Sequence, residues 1–213
     1  MIEGLAGLTA ANLSDSLDSV GLRHQVLADR LCSVIPGSRV IGRARTARFA
    51  PTEVLDPQAP YSAAIDFIDS VAPGDLIVIA TNRSNASAFW GELFSAAALG
   101  RGAVGMITDG NLRDGDRIGL LQFPAFARSS RPIDYRGRME LVAVQKTVVV
   151  GGVAIDPGDL VLADDDGVVV VPAAAEEAVL NAARVRMNVE STVLAELIGG
   201  ATLRKVWERY HIL

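Results

Sequence analysis

Hydrophobic and polar positions change period several times along the chain, and each change predicts an element. Residues 9–31 read as helical: Thr9 is placed as a cap, and Ser14-Asp15 precede apolar positions at Leu17, Val20 and Leu22. Ile35-Pro36-Gly37 reads as a turn. From 40 to 49 small or apolar residues alternate with Arg43, Arg45 and Arg48, a period of two that predicts a strand with one polar face. A proline-bearing loop over 51–60 leads to a short helix over 61–70, with Ala64, Ile65 and Ile68 inward. Ala72-Pro73-Gly74-Asp75 then feeds a buried strand, and the phrase returns as Asp156-Pro157-Gly158-Asp159 before another. Pro fixes φ and Gly supplies the unusual φ of a tight turn, so two strands are expected to enter the sheet in similar ways.

Further apolar runs over 123–127, 141–144, 147–150, 160–163 and 168–171 predict a strand-rich second half. Between the last two lies Asp164-Asp165-Asp166-Gly167. Three carboxylates in a row have the look of a metal site; Asp-Gly between two apolar runs is a hairpin signal, and the hairpin is the reading we favour. A long Ala-rich helix follows Pro172 over 173–198, stopped by Gly199-Gly200, and a final helix over 201–210 closes the chain with Trp207 and Tyr210 as packing or oligomer contacts. Strands and helices mixed without a strict βα rhythm give α/β or α+β.

Composition narrows the function. Half of the 213 residues are hydrophobic and the net charge is −5, which suits one globular domain with a sizeable core. The mild acidity argues against a nucleic-acid surface, for which a basic face is needed. One cysteine excludes an intrachain disulfide, and one Cys with two His builds no zinc cluster. Cys32, among apolar neighbours, is expected as core filler, and His24 as polar surface. The N-terminus has no signal-peptide pattern and no stretch reaches the length of a membrane span, so a soluble cytoplasmic protein is expected.

Candidate chemistry concentrates between Trp90 and Asp114. A turn-like Trp90-Gly91-Glu92 precedes a small-residue helix over 95–99; Gly100-Arg101-Gly102 leads to a buried strand over 103–107, which ends in a polar cluster, Thr108 to Asp114. A helix N-terminus offers free N–H groups and partial positive charge to a small carboxylate. Arg113-Asp114 at a strand end place an anion clamp beside a hard metal ligand. The stretch holds no lysine, which disfavours a Schiff-base mechanism. Arg43, Arg45 and Arg48 are a second candidate anion site, or else line a sheet face or subunit contact. Asp116 and Arg117 are read mainly as surface charge, and Arg128 to Arg138 as a basic loop interrupted by proline.

Gly91-Glu92, twenty residues, then Arg113-Asp114 resembles the RraA-like family, whose enzymatic members are class II 4-hydroxy-4-methyl-2-oxoglutarate aldolases. The likeness continues through Val104-Gly105, Asp109-Gly110, Phe123 to Ala127, Val150-Gly151-Gly152-Val153 and Pro157 to Pro172. It implies an α/β fold, a three-layer β/β/α swivelling domain over 1–213 with C-terminal helices from about 173, assembling as a trimer or dimer of trimers. It also implies a divalent-metal lyase, using Mg²⁺ or Mn²⁺, that cleaves a 4-hydroxy-2-oxo acid to pyruvate and decarboxylates oxaloacetate. By the same resemblance Asp114 holds the metal, Glu92 borders its water shell, and Arg113 pairs with the 2-oxo acid and the developing enolate. The N–H groups of Gly91, Glu92, Leu93 and Phe94 bind the substrate carboxylate. Arg186…Glu190 matches the register of a segment whose Glu is thought to reach a neighbouring subunit's site, although the surrounding family Lys and Glu residues are absent. Family regulators that inhibit a ribonuclease lack the acidic residue after the Arg, and this chain has it. An older methyltransferase label in the family finds no Gly-rich nucleotide loop here.

Overall fold

The computed structural model describes Leu5, residues 7–54 and residues 61–212; most of the proline-bearing loop predicted over 51–60 lies outside them. The central layer is a nine-stranded mixed sheet. Its main path is β1 (Cys32–Ser33), β6 (Ala125–Ser130), β5 (Gly105–Leu112), β3 (Asp75–Ala80), β2 (Val40–Pro51), β10 (Leu160–Ala163) and β11 (Val168–Val171). Two further strands join it: β4 (Ala88–Trp90) pairs with β5, and β7 (Met139–Val144) with β2. The β2–β3–β5–β6 core is parallel, and its flanks β1, β10, β11 and β7 are antiparallel.

Strand periodicity sorts the core into layers. Leu76, Val78 and Ala80 face a small hairpin of β8 (Val148–Val150) and β9 (Val153–Ile155), while Ile77 and Ile79 face the opposite side with Phe67, Ile68 and Ala98. The latter come from α2 (Ser62–Asp69) and α3 (Glu92–Gly100), joined on that side by Ile118 of α4 (Gly115–Leu120). Farther along the sheet, α1 (Ala10–Ser19) and α5 (Glu176–Ile198) pack on Leu160, Leu162, Val169 and Val171. The order hairpin, sheet, helices is the β/β/α layering expected. Each fully buried Leu or Ile in these layers contributes roughly 1.5–3 kcal/mol of transfer free energy. The short α6 (Leu203–Tyr210) docks on α5, where Tyr210 donates to Glu196 at 2.7 Å.

The repeated Pro-Gly phrase makes two equivalent turns. In each, the Asp after Gly accepts a bond from the backbone N–H three residues earlier, Ala72 to Asp75 at 2.9 Å and Asp156 to Asp159 at 2.8 Å. The strands that follow, β3 and β10, both pair with β2. Gly42 of β2 permits that crowding: a Cβ there would stand 2.8 Å from the Gly74 carbonyl oxygen. The Asp164–Gly167 segment is the hairpin turn favoured from sequence, and Asp164 also accepts from the Ala10 N–H at 2.8 Å, holding the start of α1. Arg43 and Arg45 face the helix side; Arg43 pairs with Glu176 of α5 and Arg45 donates to the Ser70 hydroxyl at the end of α2, so they tie sheet and helices together in place of the anion site expected.

Several expectations are corrected. The helix predicted over 9–31 ends at Ser19. Gly21 takes φ of +84°, and the chain beyond runs along β11, with Leu27 N–H donating to the Val168 carbonyl and Val170 N–H to that of Gln25. Edge pairing there outweighs the helical pattern. Cys32 is exposed rather than core, because in the two-residue edge strand β1 it turns outward while Leu31 turns in. Ile65 is 50% exposed and Phe67 fills the place expected for it. His24 is exposed, as expected. Among the described residues no helix is long and apolar enough to cross a membrane.

Candidate functional site

The polar cluster expected at the end of the 103–107 strand lies largely inside that strand. β5 runs to Leu112 and every residue in it is buried. Buried polar groups need partners, and among the polar side-chain atoms of β5 all but the Asn111 Oδ1 have one. Asp109 accepts from the Thr81 N–H at 2.7 Å, the Thr81 hydroxyl at 2.8 Å and the Arg83 N–H at 3.0 Å. Asn111 donates to the carbonyls of Ser84 and Ser87. These bonds fasten the 81–87 loop to β5 and deliver the chain into β4, which pairs in parallel with β5 at Asn111 and Leu112. Trp90 is therefore a strand residue, not part of a turn. It is locked by an indole N–H bond to Ser95 at 2.7 Å and by ring contacts with Phe94 and Phe123. The consequence is positional: α3 begins at Glu92, beside the end of β5 where Arg113 and Asp114 emerge.

Asp114 adopts a left-handed conformation, φ 59° and ψ 33°, at the N-cap of α4; its carbonyl accepts from the Ile118 N–H at 2.9 Å, but its side chain makes no bond to that helix. Few non-glycine residues sit there, Asp more readily than most, and such outliers gather at functional sites. Its carboxylate turns back toward α3, where the Glu92 N–H donates to Oδ2 over a long 3.4 Å, and the Arg113 Nε is 3.7 Å from the same oxygen. Gly91 makes the approach possible, since a Cβ there would lie 2.8 Å from Asp114 Oδ2 and 3.2 Å from Arg113 Cγ. Gly91→Ala is thus expected to displace the carboxylate and guanidinium while leaving the fold intact. Lost activity with an unchanged melting temperature checks this; unchanged activity contradicts it.

Glu92, half-exposed, has its carboxylate 3.5 Å from Arg117, so Arg117 borders the site instead of lying apart from it. The Glu92 N–H faces Asp114; in the first turn of α3 the Leu93 and Phe94 N–H groups have no intrahelical carbonyl to meet. Gly91, Glu92, Leu93, Phe94, Arg113 and Asp114 all border one cleft of about 480 Å³. The donor set fits Mg²⁺ or Mn²⁺: two hard, water-accessible carboxylates, with further positions left to water and substrate oxygens. Among the described residues no group of three or more His, Cys, Asp or Glu side chains forms a metal cage. Glu190 is not at this cleft's wall; it pairs with Arg186, which also reaches Asp15 on α1.

Sequence reasoning missed Asp134 and Tyr61. The 131–134 segment runs beside β4, with Ala88 N–H donating to the Ile133 carbonyl at 2.7 Å, and this carries Asp134 to the cleft. Asp134 Oδ2 accepts from Tyr61 at 2.6 Å and from Arg113 Nη1 at 3.3 Å. The available signal was a lone carboxylate among four arginines between Arg128 and Arg138. Burial alone would raise the Asp134 pKa. The Arg136 N–H, the Tyr61 hydroxyl and the charges of Arg113 and Arg136 outweigh that and hold it below the ordinary value. The bond to Asp134, with burial, raises the Tyr61 pKa, and burial foremost raises that of Tyr135, so both phenols stay protonated at neutral pH.

A carboxylate with a depressed folded pKa stabilises the fold above its unfolded pKa of about 3.9 and loses that contribution as pH falls through the folded value. Asp134→Asn is therefore expected to be less stable than the parent at pH 6–7, with the gap closing below about pH 4. Melting temperatures across that range check it, and a gap that widens with acid contradicts it.

Residues 10–170 match the family model described as RraA-like, Aldolase/RraA. Protein DlpA of Legionella pneumophila is 28% identical over 99% of this chain, which spans only 34% of that protein's length. A Halalkalibacterium halodurans protein named "Putative 4-hydroxy-4-methyl-2-oxoglutarate aldolase" is 32% identical over 81% of this chain and 76% of its own. Among solved structures, an uncharacterized protein from Pseudomonas syringae superposes with a TM-score of 0.85 at 30% identity, covering 96% of this chain and 95% of that one. Streptomyces coelicolor RraAS2, described as an unusual member of the RNase ES inhibitor RraA protein family, superposes with a TM-score of 0.79 at 27% identity over 90% and 93%. In sequence and in fold alike, this chain belongs to the RraA-like family.

Proposed function

We propose that the protein is a divalent-metal-dependent lyase that cleaves a 4-hydroxy-2-oxo acid, such as 4-hydroxy-4-methyl-2-oxoglutarate, to pyruvate, and that it also decarboxylates oxaloacetate. The observation that carries this reading is the convergence of Asp114, Glu92 and Arg113 at the open N-terminus of α3. The N–H groups of Leu93 and Phe94 bind the substrate carboxylate. Arg113 orients the 2-oxo group and stabilises the negative charge that develops on its oxygen as C3–C4 breaks. Asp134 and Tyr61 hold the Arg113 guanidinium in that orientation. Glu92 takes up the proton of the C4 hydroxyl, directly or through water. Bound at Asp114 beside Glu92, Mg²⁺ or Mn²⁺ supplies Lewis-acid stabilisation of the enolate.

Pyruvate release from 4-hydroxy-4-methyl-2-oxoglutarate and from oxaloacetate, coupled to lactate dehydrogenase, tests the reading. Activity is expected to vanish with EDTA and return with either metal. Full turnover in excess chelator would remove the metal, and no pyruvate from either substrate would remove the lyase. The second reading is a regulator that inhibits a ribonuclease; it draws on the likeness to RraAS2, and the retained Asp114 weighs against it.

A further inference from the structure

The cleft is larger and more apolar than a pyruvate-forming site requires. Its volume of about 480 Å³ falls within the ~300–1,000 Å³ of pockets that enclose drug-sized ligands. Beyond the polar group at the start of α3, its wall is made by Tyr61, Ile65, Phe89, Trp90, Phe94 and Tyr135. Charge is distributed unevenly around it. Among the described residues lining the cleft, Glu92, Asp114 and Asp134 are acidic and Arg113 is the one cation. That cation is already flanked, with Nη1 3.3 Å from Asp134 and Nε 3.7 Å from Asp114. A carboxylate carried on C4 into the aromatic end would meet Asp134, whose charge already engages Arg113 in the wall and Arg136 outside it, so no unengaged cation stands among the described lining residues, and burying an unpaired charge is costly.

We infer that the aromatic end of the cleft is a subsite for an uncharged, aryl-sized C4 substituent, so that the preferred substrate is a 4-hydroxy-2-oxo acid whose carbonyl half is an aromatic or bulky aliphatic aldehyde. This rests on the lyase reading above and names its substrate class. In the reaction the C4 hydroxyl proton passes to the base and C4–O becomes the aldehyde carbonyl. The electron pair of the broken C3–C4 bond becomes the pyruvate enolate, which then takes a proton at C3. The aldehyde leaves from between Ile65 on α2 and the rings of Phe94 and Trp90.

Two measurements test the subsite separately from the chemistry. Calorimetric titration with Mg²⁺ present compares 2-oxo-4-phenylbutanoate with 2-oxoglutarate, neither of which has a C4 hydroxyl to cleave. The phenyl ligand is expected to bind about tenfold or more tighter, the scale expected for burying a ring. Ile65→Arg is expected to reverse the order by supplying the missing cation. Equal affinities, tighter 2-oxoglutarate, binding of neither ligand, or an order unchanged in Ile65→Arg would overturn the subsite. Turnover is the other measurement: pyruvate from 4-hydroxy-2-oxo-4-phenylbutanoate is expected at a kcat/KM at least about tenfold above that for 4-hydroxy-4-methyl-2-oxoglutarate. The reverse order would overturn the subsite. Binding preference without pyruvate from any substrate would uphold the subsite and remove the lyase.

Discussion

Asp114→Ala is expected to abolish pyruvate formation at any Mn²⁺ concentration, with the fold retained. The side chain is 44% exposed, makes no capping bond to α4, and contacts the start of α3 and Arg113. Its loss removes the carboxylate proposed to anchor the metal and leaves no cavity. One structural cost must be separated from the chemical one. Ala tolerates the left-handed conformation at this position less well than Asp, by an amount on the order of 1–2 kcal/mol. Asp114→Asn answers this, because Asn accepts the same backbone while losing the charge. Both variants should lose metal-dependent turnover, and only Ala should lower the melting temperature. Near-normal turnover in either variant that still depends on Mn²⁺ would refute the assignment.

Arg113→Lys should lower kcat by about 10²–10³, the usual consequence of losing one preorganised donor to a developing oxyanion. Lysine keeps the charge but not the planar fork. The fork matters here because its nitrogens already serve two directions, Nη1 toward Asp134 and Nε toward Asp114. A flexible ammonium cannot span both and still present a face to the substrate. Mn²⁺ response should survive, since Asp114 and Glu92 are untouched. The measurement is kcat against Mn²⁺ concentration, with circular dichroism as the folding control. A tenfold or smaller fall in kcat, or a lost metal response, would mean that Arg113 does not face the reacting oxygen.

The strands and turns were legible because they depend on local periodicity and on backbone requirements of Pro and Gly. The two Pro-Gly-Asp phrases are the clearest case, since the turn chemistry alone implied equivalent strands and β3 and β10 both pair with β2. Misreadings arose where distant contacts decide. Asp109 and Asn111 are polar, yet they are buried in β5 because the 81–87 loop bonds to them, and Thr108 is buried beside them with its hydroxyl accepting from the Gly110 N–H. The segment after Ser19 has helical spacing but pairs with β11, a partner more than a hundred residues away. At the site, Glu92 and Arg113-Asp114 were legible through family spacing. Tyr61 and Asp134 were not, because Asp134 reaches Arg113 and Tyr61 reaches Asp134 from separate segments and no spacing links them. Gly91 was singled out for its backbone, whereas the structure gives it a second duty in admitting the Asp114 carboxylate.

The central claim is that a divalent metal and Arg113 hold a 2-oxo acid between them at the N-terminus of α3. Oxalate mimics the enolate of pyruvate in shape and charge and cannot react further. Crystals grown with Mn²⁺ and oxalate, measured for anomalous scattering at the manganese edge, test the claim most directly. The expected result is a manganese peak at the Asp114 carboxylate, with oxalate bound between it and the Arg113 guanidinium. A manganese peak elsewhere, or oxalate bound away from Arg113, would contradict it.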